Sequence, residues 1–385
     1  MSKVTIHYAK VAEYIGMKTR LMKVPFSGTF ELTPLCNMNC RMCYIRMTRE
    51  EMKKVGRELT VEEWLRIAQE AVDEGMTMLL LTGGEPILYP GFKELFLKLR
   101  KMGLFISINS NGTMFNDDWF EFFRENPPAK FNITLYGGSN ETYDRLCRNP
   151  KGFDQVKRNI ERLQEIGIEI LLNCTITSFN ICDMEQMAAF ADEHNLHLNA
   201  TTYNFPPVRK EGVENPYLCR PTPREAAEHR LKLNWYTSRR KEDFLKLAHQ
   251  VCDQDYSSDL DAEARCEVEE EGDGILCAAG RSNFWVTWDG RMLPCGIIPE
   301  LSIPIGDRPF KEVWDGITER SARIRLSPEC KNCKKKALCA PCAAKLSSET
   351  GTFDQTPRYL CEYTDEYIRL MGEAVKYLEH EQKNG

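Results

Sequence analysis

No stretch of this 385-residue chain is apolar enough to cross a bilayer. Its longest greasy run, Met76–Leu81, is interrupted by Thr77 and falls far short of the roughly 20 residues a spanning helix needs. The opening residues, Met1 to Lys10, lack the apolar core of roughly 7–15 residues that a secretory signal carries. There is no long basic run and the formal net charge is −6. Phosphate backbones are bound by clustered Lys and Arg, so nucleic acid is not the expected partner. No low-complexity tract appears. Histidine is scarce, at six residues, and the one nearest the first cysteine group is His7. These absences predict a cytoplasmic protein with no membrane partner. Cysteine, by contrast, is plentiful. A reducing cytosol excludes a disulfide framework for the sixteen of them, so their placement must carry the information.

Three cysteines, Cys36, Cys40 and Cys43, fall in the run Leu-Cys-Asn-Met-Asn-Cys-Arg-Met-Cys-Tyr. A cubane cluster normally takes four cysteines. Three thiolates from one loop would leave the fourth iron open to a small molecule. A zinc site would want four tetrahedral ligands, usually in two separated pairs. Eight more cysteines lie from Cys252 to Cys342, and Cys361 follows. Cys147, Cys174, Cys182 and Cys219 stand alone and read as small buried apolar residues; Cys252 also reads as structural.

From residue 29 to about 204 a strand-then-helix pattern repeats. Short apolar runs at Thr29–Thr33, Met76–Thr82, Leu104–Asn109, Phe131–Leu135, Ile168–Thr175 and Leu196–Tyr203 read as parallel strands covered by helices. Thr60-Val-Glu-Glu63 is a capping box for a helix ending at Gly75. A second helix runs from Pro90 to Gly103, and a third, Phe153–Ile166, stops at Gly167. Such βα units build an open doubly wound sheet or an incomplete barrel, with functional loops after the carboxyl ends of strands. Cys36–Cys43 and Gly83-Gly84-Glu85-Pro86 occupy such loops. Prolines punctuate residues 205–223, a polar helix is expected from about Glu225 to His249, and Asp259–Asp273 is an acidic linker or lid. Phe284–Trp288 and Arg291–Cys295 read as a hairpin about the two-residue turn Asp289-Gly290. Phe310–Ile317 reads as a short helix.

The cysteine triplet followed by Tyr44, with Gly-Gly-Glu-Pro after the second strand, resembles the signature of radical S-adenosylmethionine enzymes. The resemblance implies a partial (β/α)6 TIM-like barrel, followed by a small cysteine-rich α+β domain. In that family a [4Fe–4S] cluster reduces S-adenosylmethionine to a 5′-deoxyadenosyl radical that takes hydrogen from substrate, while the protein supplies position and shielding. By resemblance Tyr44 flanks the adenine. Gly83, Gly84, Glu85 and Pro86 meet the cofactor's amino group; two glycines let the backbone come close and an acceptor faces an ammonium. Asn109, Ser110 and Asn111 lie near the ribose. Thr134 and Arg148 match positions that engage ribose hydroxyls and the cofactor's carboxylate.

The later cysteines, in the order Cys277, Cys295, Cys330, Cys333, Cys339, Cys342 and Cys361, resemble the SPASM extension of that family, which carries two auxiliary clusters. One departure is that two residues separate Cys339 from Cys342, where three are usual. The resemblance assigns Cys330, Cys333, Cys339 and Cys361 to an outer cluster. Cys277, Cys295 and Cys342 go to an inner one, whose fourth ligand is Cys266 or which stays open to substrate. A pair of zinc sites is the competing reading. The implied cofactors are three [4Fe–4S] clusters and S-adenosylmethionine. The implied segments are 1–28, an N-terminal extension; 29–204, the radical barrel; 205–265, a connector and helix; and 266–385, the auxiliary domain.

Within the family the expected substrate is a ribosomally made precursor peptide or protein side chain, oxidatively cross-linked, given a thioether or dehydrogenated. A sulfatase-type maturase, a small-molecule dehydrogenase and a non-catalytic electron carrier are the alternatives. Only 28 residues precede the first expected strand, too few for an added leader-binding domain. Leader recognition is then expected to need a separate protein or an exposed sheet edge. Lys331, Lys334, Lys335 and Lys336 form either a solvated face or a dock for an acidic flavodoxin- or ferredoxin-like electron donor.

Overall fold

β-branched and leucine-rich runs closed by Gly or by Ser, Asn and Thr punctuate this chain, and the strands fall where those runs lie. A computed structural model describes residues 8–209, 218–238, 240–253, 274–275 and 277–384. Nine strands are present among them: β1 Ser27–Glu31, β2 Met78–Thr82, β3 Phe105–Ser110, β4 Lys130–Thr134, β5 Ile170–Thr175, β6 Leu198–Thr201, β7 Asn283–Val286, β8 Arg291–Leu293 and β9 Ile303–Pro304. The first six match the six expected runs to within about two residues at most ends. Together with the intervening helices they give the mixed α/β architecture of a partial barrel with a parallel sheet.

The chain groups into two packed units, each assembled from separated segments. The first comprises residues 1–35, 47–107 and 261–325. Here β1 is central, parallel to β2 on one side and to β7 on the other. Antiparallel β8 and β9 extend the sheet. A central strand is covered on both faces, and successive residues Phe30 and Glu31 are both fully buried. Phe30 stacks on Trp64 with ring centroids 4.7 Å apart. Trp64 lies on the helix Val61–Asp73, opened by the expected Thr60–Glu63 capping box. Phe284 of β7 meets Phe310 at 5.0 Å and Trp314 at 6.0 Å. Both lie on a helix that runs to Ala322, five residues beyond the expected end.

The second unit comprises residues 36–46, 108–260 and 326–385. It carries parallel β4, β5 and β6 and an aromatic core in which Phe115 and Phe123 each lie edge-on to Phe131, at 5.3 and 5.0 Å. The C-terminal helix Arg358–Asn384 packs Tyr363, Tyr367 and Met371 against Ala226, Phe244 and Ala248.

Two expectations are corrected. The single polar helix from Glu225 to His249 is two helices, Pro223–Thr237 and Lys241–Asp253. The break is local: the hydroxyls of Thr237 and Ser238 donate back to the carbonyls of Leu233 and Asn234, at 2.8 and 2.6 Å, and Ser238 is extended. Such residues compete with the helix ladder. The β7–β8 hairpin forms, but its loop is Thr287–Gly290 rather than the Asp289-Gly290 pair alone. Gly290 N–H donates to the Thr287 carbonyl at 2.9 Å, and Gly290 has φ 82°, the left-handed position of a longer hairpin loop. The acidic stretch Asp259–Asp273 lies outside the described residues.

Phe30→Ala is expected to destabilise the protein by about 3–5 kcal/mol, the usual cost of emptying an aromatic site. Phe105→Ala, where the ring is 60% exposed, should change little. Denaturant midpoints of the two variants check this.

Candidate active site

The first cysteine loop, residues 36–46, is docked by backbone pairing. Asn39 and Arg41 donate their N–H groups to the carbonyls of Cys147 and Leu146, at 3.0 and 2.9 Å. Arg41 Nε reaches the Arg145 carbonyl at 2.7 Å. Met38 is buried with Leu146, Cys147 and Cys219. The loop therefore rests on the last turn of the helix Asn140–Cys147, with its sulfurs set by fixed donors. Met38 N–H points at Cys36 Sγ, 3.4 Å away, and Arg46 N–H at Cys43 Sγ, 3.2 Å away. Asn111 Nδ2 lies 3.7 Å from Cys36 Sγ and donates to Asn37 Oδ1 at 2.8 Å. Asn37 in turn donates to Thr113 Oγ1 at 2.9 Å, and Thr113 to Asn111 Oδ1 at 2.6 Å. Hydrogen bonds to sulfur favour thiolate and tune any iron it holds, so the donor set fits a cluster. Cys40 differs: the neighbouring Cys147 thiol and burial hold its pKa well above the ordinary value.

Asn37 and Thr113 escaped the sequence reading. The sequence offers only their positions, an Asn inside the triplet and a Thr directly after Asn111-Gly112; a pairing across 76 residues leaves no local sign. Of the residues singled out beforehand, Asn111 lies against the triplet, through its contact with Cys36 Sγ. Asn109 Oδ1 accepts from Asn132 at 2.8 Å, and buried Ser110 accepts the Gly112 N–H at 3.0 Å. Thr134 closes β4, half-buried and opposite Asn173. Tyr44 is half-buried on the cysteine loop. Arg148 is exposed, in the left-handed position that ends the helix Asn140–Cys147 (φ 58°).

In the first unit, Gly83–Pro86 follows β2 directly. Gly84 and Glu85 donate their N–H groups to the carbonyls of Thr33 and Leu35, at 2.7 and 2.8 Å. These acceptors immediately precede Cys36 in the chain. A Cβ on Gly84 would run into the Leu35 carbonyl, and one on Gly83 into that of Thr33, so close backbone approach requires both glycines. Glu85 is fully buried and Pro86 opens a short helical turn. Two further buried polar contacts in this unit were not foreseen. Glu31 accepts from Trp285 Nε1 at 3.0 Å, and the Thr33 hydroxyl donates to Glu58.

The later cysteines present a second arrangement. Cys330, Cys333, Cys339 and Cys361 line one cavity of about 140 Å³, with Lys335 and Thr364 also on its wall. Liquid water takes about 30 Å³ per molecule, so this is several times a single small occupant. Burial pushes the Cys339 and Cys361 thiols up, and the neighbouring cysteines add to the shift. Thr364 and Lys345 act the other way on Cys339. Burial pulls the Lys345 ammonium below the usual lysine value, against the pull of Cys342 and Cys339. Among the described residues, no three His, Cys, Asp or Glu side chains are grouped as one metal ion would need. Cys277 is exposed and Cys295 half-buried, both in the first unit. Cys342, in the second, opens the helix Ala343–Thr350. Cys266 lies outside the described residues.

The isolated cysteines follow expectation with one correction. Cys147, Cys174 and Cys219 are buried; burial pushes Cys174 up to about 12 and Cys219 to about 11. Cys182 is exposed instead, because it occupies a helical turn at the surface, 3.3 Å from Asp183 Oδ1. Cys252 is half-buried against the C-terminal helix cluster.

Among the described residues, no helix is long and apolar enough to cross a membrane. An AdoMet-dependent heme synthase of Methanosarcina barkeri is 26% identical over 87% of this chain and 95% of its own length. The sporulation killing factor maturation protein SkfB of Bacillus subtilis is 31% identical over 41% of this chain and 37% of its own. Among solved structures, Streptococcus suis SuiB bound to its precursor peptide SuiA aligns over 94% of this chain and 82% of that one, with a TM-score of 0.67 at 15% identity. The sequence model of the radical SAM superfamily matches residues 30–191, which span the cysteine triplet, the Gly-Gly-Glu-Pro loop and β1 to β5. This chain therefore carries a radical SAM domain, the domain of enzymes that use a [4Fe–4S] cluster with S-adenosylmethionine.

Proposed function

We propose that this protein is a radical SAM oxidoreductase that removes hydrogen from the side chain of a ribosomally made peptide or protein and completes a net oxidation. The observation that carries the reading is the set of Cys330, Cys333, Cys339 and Cys361 around one cavity. An enzyme that returned its hydrogen to the substrate would have no use for a second electron carrier. One that oxidises must send an electron elsewhere, and an auxiliary cluster on these thiols gives it an acceptor. The chain divides functionally at about residues 28, 204 and 265, with the auxiliary segment last.

When bound, S-adenosylmethionine and the cluster beside it would supply the hydrogen-abstracting radical. Cys36, Cys40 and Cys43 hold that cluster. The N–H groups of Met38 and Arg46, with the Asn111 amide, offset the charge gathered on sulfur. Gly83 and Gly84 would bring the backbone close to the cofactor, from whose ammonium Glu85 or a carbonyl of the loop would accept a hydrogen bond. Tyr44, Pro86, Asn109, Ser110, Thr134 and Arg148 complete the cofactor site. Cys277, Cys295 and Cys342, with Cys266 or an open position as the fourth ligand, hold an inner cluster, bringing the total to three. Cys333, exposed and flanked by Lys331 and Lys334, suits docking of an acidic flavodoxin- or ferredoxin-like donor.

A precursor-peptide substrate is supported by the SuiB and SkfB likenesses. A leader-binding protein encoded separately would serve recognition. A second reading, with a heme precursor as substrate, is favoured by the heme synthase match along nearly the whole of that enzyme.

Anaerobically reconstituted protein is expected to hold about 12 iron atoms per chain, as three cubanes require. Replacing Cys36, Cys40 and Cys43 together by Ala should remove about four of them and abolish release of 5′-deoxyadenosine. Glu85→Ala should weaken S-adenosylmethionine binding more than it lowers iron content. Stoichiometric zinc with about four irons or fewer would overturn the auxiliary-cluster assignment.

Mass spectrometry separates the substrate readings. Incubated with enzyme, S-adenosylmethionine and reductant, a peptide encoded beside this gene should become about 2 Da lighter for each two-electron oxidation. Cofactor turnover that leaves every neighbouring peptide unchanged, but converts an iron porphyrin precursor, would establish the heme reading instead.

A further inference from the structure

The link between Cys339 and Cys342 is only Ala340-Pro341, and its backbone is unusual. Ala340 has φ 46° and ψ 60°, a region that residues with a Cβ avoid. One side chain braces this turn. Lys345 Nζ donates to the carbonyl oxygens of Cys339, at 3.1 Å, and Ala340, at 2.9 Å.

The position is a poor one for a lysine on general grounds. Lys345 is third in the helix Ala343–Thr350, whose first turn has no acidic residue, and helix N-termini disfavour cations. Its ammonium lies 5.5 Å over the Tyr203 ring. Glu349, one turn further along, is engaged by Arg220 and by the Tyr203 hydroxyl, at 2.6 Å in the latter case. The Cys339 and Ala340 carbonyls and the face of the Tyr203 ring hold the ammonium there, and Cys339 and Cys342 as thiolates would favour its charged form.

We propose that Lys345 sets the reduction potential of the cluster held by Cys330, Cys333, Cys339 and Cys361: its ammonium, fixed beneath the Cys339–Cys342 turn, favours the reduced state. The inference rests on the auxiliary-cluster reading above. Reduction adds one negative charge to a cubane, and a cation hydrogen-bonded to the backbone of Cys339, one of its ligands, stabilises that charge more than it stabilises the oxidised form. Partial exclusion of water keeps the interaction from being screened.

The test is an EPR-monitored redox titration in protein whose Cys36, Cys40 and Cys43 have been replaced by Ala, leaving the auxiliary clusters. The outer cluster's transition is the one that Cys361→Ala abolishes or displaces. In Lys345→Gln the ratio of reduced to oxidised cluster, read at the original midpoint, should fall about tenfold, which is about 59 mV for one electron. Iron content should not change. Lys345→Arg, which keeps the charge, should retain the original midpoint. An unshifted midpoint in fully loaded Lys345→Gln would overturn the proposal. So would loss of outer-cluster iron from that variant, because the lysine would then only shape the turn. Failure of the underlying reading looks different: Cys361→Ala would leave both iron content and every transition unchanged.

Discussion

Negative charges brought within a few ångströms repel, and this chain gathers thiols in two places. Each gathering needs donors or cations that do not move. In the first loop they are backbone N–H groups and the Asn111 amide, held by pairing between residues 39–41 and 146–147. Around the outer cavity they are the Thr364 side chain and Lys345, which oppose the upward push of burial on Cys339. The surrounding architecture can be read as the means of fixing these groups. The helix Asn140–Cys147 ends where the loop needs acceptors, and β3 ends where Asn111 is needed. The helix Ala343–Thr350 starts at Cys342 itself.

A second constraint is the closeness of backbones at Gly83 and Gly84. Their pairing with Thr33 and Leu35 fixes the chain just before Cys36 from one side. The Thr33 hydroxyl contact with Glu58 and its acceptance of the Leu35 N–H at 3.1 Å fix it from another. The segment Thr33–Leu35 is thus held by a loop some 50 residues later, through backbone groups alone. A mutation at Gly84 would disturb the strand end as well as the loop it belongs to.

The sequence was informative where chemistry is local. Six strands, the Thr60 capping box and the terminating Gly167 could be read from the local pattern, because period and punctuation act over a few residues; the grouping of four late cysteines follows only from the family resemblance. Partnerships between distant residues were hidden. Nothing at Asn37 announces Thr113, 76 residues on, nor does Lys345 announce the carbonyls behind it. The helix break at Ser238 was missed because a polar helical pattern continues through it, while two hydroxyls quietly cap the carbonyls of the preceding turn. Cys182 was misjudged as buried because a lone cysteine carries no sign of which face it will occupy.

The pairing of β1 with β7 has a consequence for how the protein is made. Ser27 of β1 lies opposite Asn283 of β7, so one flank of the central strand stays open until some 250 further residues have left the ribosome. At about 5–20 residues per second that wait is roughly 10–50 s. During it Phe30 and its neighbours present an apolar strand with unpaired backbone groups, the kind of edge that recruits other chains. Synthesis of this protein therefore includes an interval in which a strand that ends up flanked on both sides still has one edge open to other chains.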